Sequence, residues 1–82
     1  MYYVYLLRSV ARPEKTYVGF TQLKPEERLL EHNQGKSKYT SRFMPWDLVA
    51  CVGVRDRQKA VELESYFKTG SGHAFAAKHL WT

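Results

Sequence analysis

Residues Thr16–Gly35 read TYVGFTQLKPEERLLEHNQG, a β-branched and aromatic run, a short polar turn and an amphipathic run. That order gives a strand followed by one helix. Strand side chains alternate, so Tyr17 and Gly19 fall on one face; Arg28 and His32, four residues apart on the helix, share a side. A phenol, a notch without a side chain, a guanidinium and an imidazole are thereby brought within reach of one another. Few small folds need such a set for stability alone, and chemistry is sought here first.

Upstream, Tyr2–Leu7 (YYVYLL) is apolar at nearly every position, which suits a strand covered on both faces, with Tyr3, Tyr5 and Leu7 on one of them. Arg8–Lys15, with Pro13, is a polar hairpin loop, so this strand and Thr16–Thr21 are expected to pair antiparallel. In the helix that follows, Pro25 fits the first turn, Glu26 and Glu27 complement the positive dipole end and Gly35 ends the helix. Leu29 and Leu30 are its expected packing surface, with Arg28 and His32 at the edge of that surface.

Downstream, Lys36–Trp46 (KSKYTSRFMPW) interleaves basic and aromatic residues without a hydrophobic period. It reads either as a loop that meets phosphates through Lys36, Lys38 and Arg42 while Tyr39 or Phe43 offers a stacking face, or as a connector whose aromatics return to the core. Asp47–Val54 is a third strand, and Asp56 caps a helix running to about Lys68. On a helical wheel begun at Ala60, Leu63, Phe67 and Val61 mark the buried face, and Glu64 lies inside it at about 40°. A carboxylate amid packing residues needs a partner, which makes Glu64 either half of a structural pair, with Arg28 for example, or a metal ligand. Gly70, Ser71 and Gly72 form a turn in which Ser71 is expected to cap a last short helix carrying Ala74, Phe75, Ala77 and Leu80. Lys68, Ser71 and His73 are the phosphate-proximal candidates around this turn.

The 82 residues leave room for one modest core, so residues 1–82 are expected to form a single domain. Thirteen Lys and Arg against eight Asp and Glu give a net charge of +5, spread along the chain, which favours a polyanion such as nucleic acid and equally serves solubility. Cys51, alone in an apolar run, reads as a buried small hydrophobe in a reducing compartment, and no apolar run approaches the roughly 20 residues of a membrane span. A cytoplasmic protein is expected.

One Cys and the three histidines His32, His73 and His79 show no zinc spacing. What is left is a carboxylate, tyrosines, an arginine and a histidine on elements able to converge on one side of a small sheet. Phosphodiester hydrolysis has a use for each. A hard cation such as Mg²⁺ needs little more than one carboxylate beside the substrate phosphate, which Glu64 supplies. The Arg28 fork matches phosphoryl oxygens, and His32 or a tyrosine is available to take a proton from water. Each residue also has a plain structural role: Tyr3 and Tyr5 as core aromatics, Arg28 with Glu64 as an ion pair, His32 at a helix C-terminus.

Taken in order, Tyr3-Val4-Tyr5, Tyr17-Val18-Gly19, Arg28 in ERLLEHN, His32 and Glu64 in AVELESYFK resemble the GIY-YIG nuclease superfamily, in particular its small stand-alone bacterial members. The likeness covers nearly the whole chain. It implies an α/β (α+β) sandwich of order ββαβαα, a three-stranded antiparallel sheet flanked by helices, that hydrolyses a DNA strand with one divalent metal, Mg²⁺ or Mn²⁺. By the same resemblance Tyr5 and Tyr17 sit in the active site, Arg28 stabilises the transition state and Glu64 binds the metal, with the proton acceptor left between Tyr17 and His32. Two positions depart from the family pattern: Tyr3 stands where the first half-motif opens with Gly, and no residue matches the Asn near the domain end, Asn33 being too early. The larger relatives carry separate DNA-binding domains, so the expected substrate is branched, damaged or single-stranded DNA rather than a long specific sequence, with a protein partner as a further expectation. Two other functions fit the same residues, a nucleic-acid-binding module whose site no longer turns over and a subunit active only beside its partner.

Overall fold

A computed structural model describes residues 1–82. The elements run β1 (Tyr2–Ser9), β2 (Thr16–Thr21), α1 (Pro25–Asn33), a 3₁₀ turn (Thr40–Phe43), β3 (Trp46–Val54), α2 (Arg57–Phe67) and α3 (Gly70–His79). The three strands form one antiparallel sheet in the order β2-β1-β3. This is the expected α+β architecture.

β1 is central, and its four consecutive residues Val4, Tyr5, Leu6 and Leu7 are all buried, which is why its sequence lacks polar alternation. Val4 and Leu6 face α2 and α3, packing with Ala60, Phe67 and Ala76. Tyr5 and Leu7 face the other way, onto Trp46, Leu29 and Phe43. The sheet is thus sandwiched, with α2 and α3 on one side and α1 and the 3₁₀ turn on the other.

β3 lies at a sheet edge, and its pairing with β1 slips at Leu6/Leu7, where Val49 is passed over. Cys51, expected inside, is exposed. The reason is topological: Cys51 pairs with Tyr5 from an edge strand that has a neighbour on one side only. An apolar run alone does not reveal which strand is central.

The helix ends follow ordinary capping rules, with one correction. Asp56 accepts from the Gln58 N–H at 2.9 Å, as expected. α3, however, is capped by Thr69, whose hydroxyl accepts from the Gly72 N–H at 3.1 Å, and Ser71 lies exposed inside the first turn. Gly72 serves packing: a Cβ there would overlap the Tyr66 carbonyl and stand 2.7 Å from the Phe67 Cα. The glycine lets α3 turn back directly against the end of α2. Of the apolar residues α3 carries, Phe75 is 46% exposed and the buried position is Ala76.

No helix is long and apolar enough to cross a membrane. Because the clash at Gly72 is with backbone, it cannot be relieved by a rotamer change, and Gly72→Ala is expected to lower unfolding free energy by about 3 kcal/mol. Urea denaturation of the variant beside Gly70→Ala, where a Cβ meets nothing within 4 Å, measures the difference.

Candidate active site

The site begins with Gly19. It pairs with Tyr5 across β1 and β2, and a Cβ on Gly19 would overlap the end of the Tyr5 ring and come within 2.9 Å of Tyr17. The ring of Tyr5 therefore lies across β2 at its one residue without a side chain. Its hydroxyl reaches His32 Nε2 at 2.8 Å, and His32 Nδ1 meets the Thr40 hydroxyl at 2.7 Å. Tyr5, His32 and Thr40 are all buried. Strand, helix and 3₁₀ turn are thus joined by one hydroxyl–imidazole–hydroxyl chain.

Burial here changes the acid–base character. Tyr5 is pushed up to about 12, first by desolvation, with the field of Tyr17 and more weakly of Glu64 adding to it while neighbouring Arg28 opposes. His32 is pulled down to about 4 by desolvation and by the Arg28 charge. Both are neutral near pH 7, so the imidazole has one donor and one acceptor nitrogen and the two hydroxyls complement it in either tautomer. For Arg28, burial lowers the pKa, but the hydrogen bond to Glu31 and the nearby Tyr5 phenol outweigh it and the net shift is upward. Arg28 Nη1 donates to Glu31 Oε1 at 2.8 Å.

His32 was expected at the edge of the α1 packing face and is instead fully buried at its centre, while Leu30 is 59% exposed. The helix is rotated so that Leu29 and His32 face the sheet, because the imidazole satisfies two buried hydroxyls that a leucine would leave unpaired. Asn33 fixes the next turn, its Oδ1 accepting from the Trp46 N–H at 2.7 Å and its Nδ2 donating to the Trp46 carbonyl at 3.1 Å. Nothing in the spacing of Thr40 marks it in the sequence, and Asn33 enters there only as too early for the family's Asn.

Tyr17 is half-buried. Its ring meets that of His32 edge-on, centroids 5.2 Å apart, and stacks on Tyr39 at 6.1 Å. Beside it opens a hollow of about 250 Å³ at the β2 edge, lined by Thr16, Tyr17, Val18, Tyr39, Lys68 and His73. Tyr17 and Val18 point to opposite faces of the sheet, so the hollow wraps around the edge strand. Of the expected catalytic residues only Tyr17 lines the hollow; Tyr5 and His32 pack behind it on the α1 side, and Glu64 lies on α2 next to the lining residue Lys68.

Glu64, on the α2 side, is partly buried as its wheel position requires, with 24% of its side chain exposed. The expected structural partner Arg28 is engaged with Glu31; Glu64 Oε2 instead accepts from Lys68 Nζ at 3.3 Å. No cluster of three His, Cys, Asp or Glu side chains is present. One hard oxygen donor on α2, already holding an ammonium, fits a hydrated cation such as Mg²⁺, which keeps most of its waters, and does not fit a metal enclosed by protein ligands.

In the basic segment, the two readings divide between two residues. Phe43 turns inward against Trp46, whereas Tyr39 is 47% exposed. Lys38 and Arg42 flank this stretch, Lys36 precedes it, and none of the three is in an ion pair.

The catalytic-domain model of the GIY-YIG family matches residues 1–75. The chain belongs to the GIY-YIG family. Over 85 aligned residues, 96% of this GIY-YIG chain, it is 34% identical to the structure-specific endonuclease subunit SLX1 of Debaryomyces hansenii and 36% identical to that of Talaromyces stipitatus. It covers 23% and 21% of those two proteins. A homologue of the same subunit in Cryptosporidium parvum is 35% identical over 68 residues, 78% of the chain and 16% of that protein. The chain thus spans about a quarter or less of these relatives, which are eukaryotic and lend no support to the expected bacterial grouping.

The buried His32 makes stability depend on pH with a definite sign. Its folded pKa of about 4 lies below the ordinary 6.5, so its contribution is complete above pH 6.5 and is lost as pH falls towards 4. The loss is about 3 kcal/mol. Urea midpoints measured across that window are expected to fall more steeply for the native protein than for His32→Gln, which has no group titrating there.

Proposed function

We propose that this GIY-YIG domain is a divalent-metal-dependent DNA endonuclease, with Tyr5, Tyr17, Arg28, His32 and Glu64 as its working set. The observation that supports the reading is the hydrogen-bonded chain from His32 to Tyr5 across Gly19, packed against the Tyr17 ring that lines the hollow, together with Lys68, which lines the same hollow and pairs with Glu64. Such a gathering of phenols, a cation and a lone carboxylate serves phosphoryl chemistry better than it serves packing.

In this reading the roles follow accessibility. His32 is buried with both ring nitrogens engaged, so it acts as a positioning residue and not as the base that meets water. Tyr5, raised to about 12, keeps its proton and orients groups by hydrogen bonding. Tyr17 lines the hollow and is left to orient the attacking water and accept its proton. Arg28, charged and only partly buried, neutralises the developing phosphorane oxygens, and releasing Glu31 leaves its fork free for them. Glu64 would hold Mg²⁺ or Mn²⁺, which when bound supplies Lewis-acid stabilisation of the leaving oxygen.

The relatives' names speak of structure-specific endonuclease subunits. By that similarity we assign the chain a branched or otherwise discontinuous DNA substrate and a protein partner that supplies most of the grip. In this reading Lys36, Lys38, Tyr39, Arg42, Lys68 and His73, with Ser71 at the start of α3, are the residues that meet DNA.

Glu64→Gln is expected to abolish metal-dependent nicking while changing DNA affinity less than about twofold, and Tyr17→Phe to slow nicking by about 10²–10⁴-fold. Gel assays on duplex, flap and junction substrates with Mg²⁺, Mn²⁺ or chelator measure both. A Glu64→Gln protein as active as the native one would falsify the assignment; native protein that binds DNA and nicks nothing, alone or with its partner, identifies a binding module.

A further inference from the structure

The hollow beside Tyr17 has properties that hydrolysis alone does not require. At about 250 Å³ it is smaller than the roughly 300–1,000 Å³ pockets that take drug-sized ligands, so it admits one flat ring and excludes a duplex. One wall is Tyr39, 47% exposed, its ring held by Tyr17 on one side and by Phe43, edge-on at 5.6 Å, on another. A rigidly supported, half-exposed phenol is a stacking platform already ordered before anything binds. Lys68 and His73 also line the hollow.

Lys68 adds a coupling. Its Nζ is held by Glu64 at 3.3 Å, and its side chain is 56% exposed. Exposed pairs of this kind are weak, so a phosphate arriving in the hollow competes effectively for the ammonium. Once Lys68 turns to that phosphate, the Glu64 carboxylate is released.

We propose that the hollow is a pocket for one unpaired nucleotide next to the scissile phosphate. The base stacks on Tyr39, the adjoining phosphate draws Lys68 off Glu64, and a nucleotide held in an intact duplex is refused because it must first be unpaired and unstacked. The inference rests on the nuclease reading and gives it a physical basis for preferring discontinuous DNA. It also makes Glu64 available to a cation only when a nucleotide is in place.

The test uses the full chain carrying Glu64→Gln, without divalent metal, so that no cleavage is needed. Flap oligonucleotides carrying 2-aminopurine at successive positions are titrated with protein. One unpaired position beside the branch is expected to change emission on binding. Tyr39→Ala is expected to remove that change and to lower the ratio of flap to duplex affinity by about 5- to 100-fold, with Tyr39→Trp restoring both. Thermal denaturation confirms that each variant is folded. With Glu64 intact, Lys68→Met is expected to tighten Mn²⁺ binding severalfold in the absence of DNA, read by electron paramagnetic resonance.

No responsive position, or equal losses on flap and duplex, overturns the pocket; Mn²⁺ affinity unmoved by Lys68→Met overturns the coupling. These outcomes are separable from failure of the nuclease reading, which is decided by whether native protein nicks at all. A protein that nicks yet shows no flap-selective loss in Tyr39→Ala keeps its activity assignment and loses the pocket.

Discussion

The contact between Tyr5 and Gly19 governs the geometry of this molecule. Tyr5 belongs to the buried central strand, where its ring has no direct route to solvent, and only a missing side chain on β2 lets it extend across the neighbouring strand. The hydroxyl then arrives at His32 and ties α1 to the sheet. The same ring positions Tyr17, whose own ring lies against His32 and Tyr39. Any side chain at position 19 would disturb three elements together, which explains why a residue ordinarily poor for strands occupies a paired strand position.

Because β1 takes the middle of the sheet, both of its faces are covered and neither is free for a substrate. Of the two sheet edges, the one that bears the hollow is that of β2, a strand of six residues bordered by the end of α2 and the start of α3 on one side and the segment leading into the 3₁₀ turn on the other. Glu64 and Lys68 come from the first of these layers, Tyr39 and Arg28 from the second. An edge site has a mechanical advantage here. Carboxylate and guanidinium are held apart by the sheet, so each keeps a local partner, Lys68 or Glu31, instead of cancelling the other.

Much of this was legible in the chain. The central strand announced itself by four apolar residues in succession, the notch by Gly19 opposite an aromatic strand, and the half-buried Glu64 by its wheel position among Ala60, Leu63 and Phe67. What was not legible depended on distant partners. The depth of His32 is set by Thr40 and Tyr5, one eight residues ahead and the other 27 behind, and helical periodicity alone favoured Leu30 as the inward residue. The exposure of Cys51 follows from strand order, which composition does not encode. The Thr69 cap in place of Ser71 was decided by Gly72, whose close approach to Tyr66 fixes where α3 begins.

The charge distribution extends the same logic. With a net charge of +5, a polyanion is attracted to the molecule from any direction, and that attraction cannot itself choose a phosphate for cleavage. Selection has to come from a place where a negative group is tolerated beside the incoming backbone. In the proposed reading Glu64 is such a group, its charge offset by Lys68 at 3.3 Å until a phosphate arrives. On that reading a phosphate that draws Lys68 away leaves the carboxylate unpaired, and a cation shared between the carboxylate and that phosphate then completes the charge balance. By the same reading the charge of Glu64 is therefore matched again only once phosphate and cation are both present, which ties cleavage, rather than binding, to the complete set of charges.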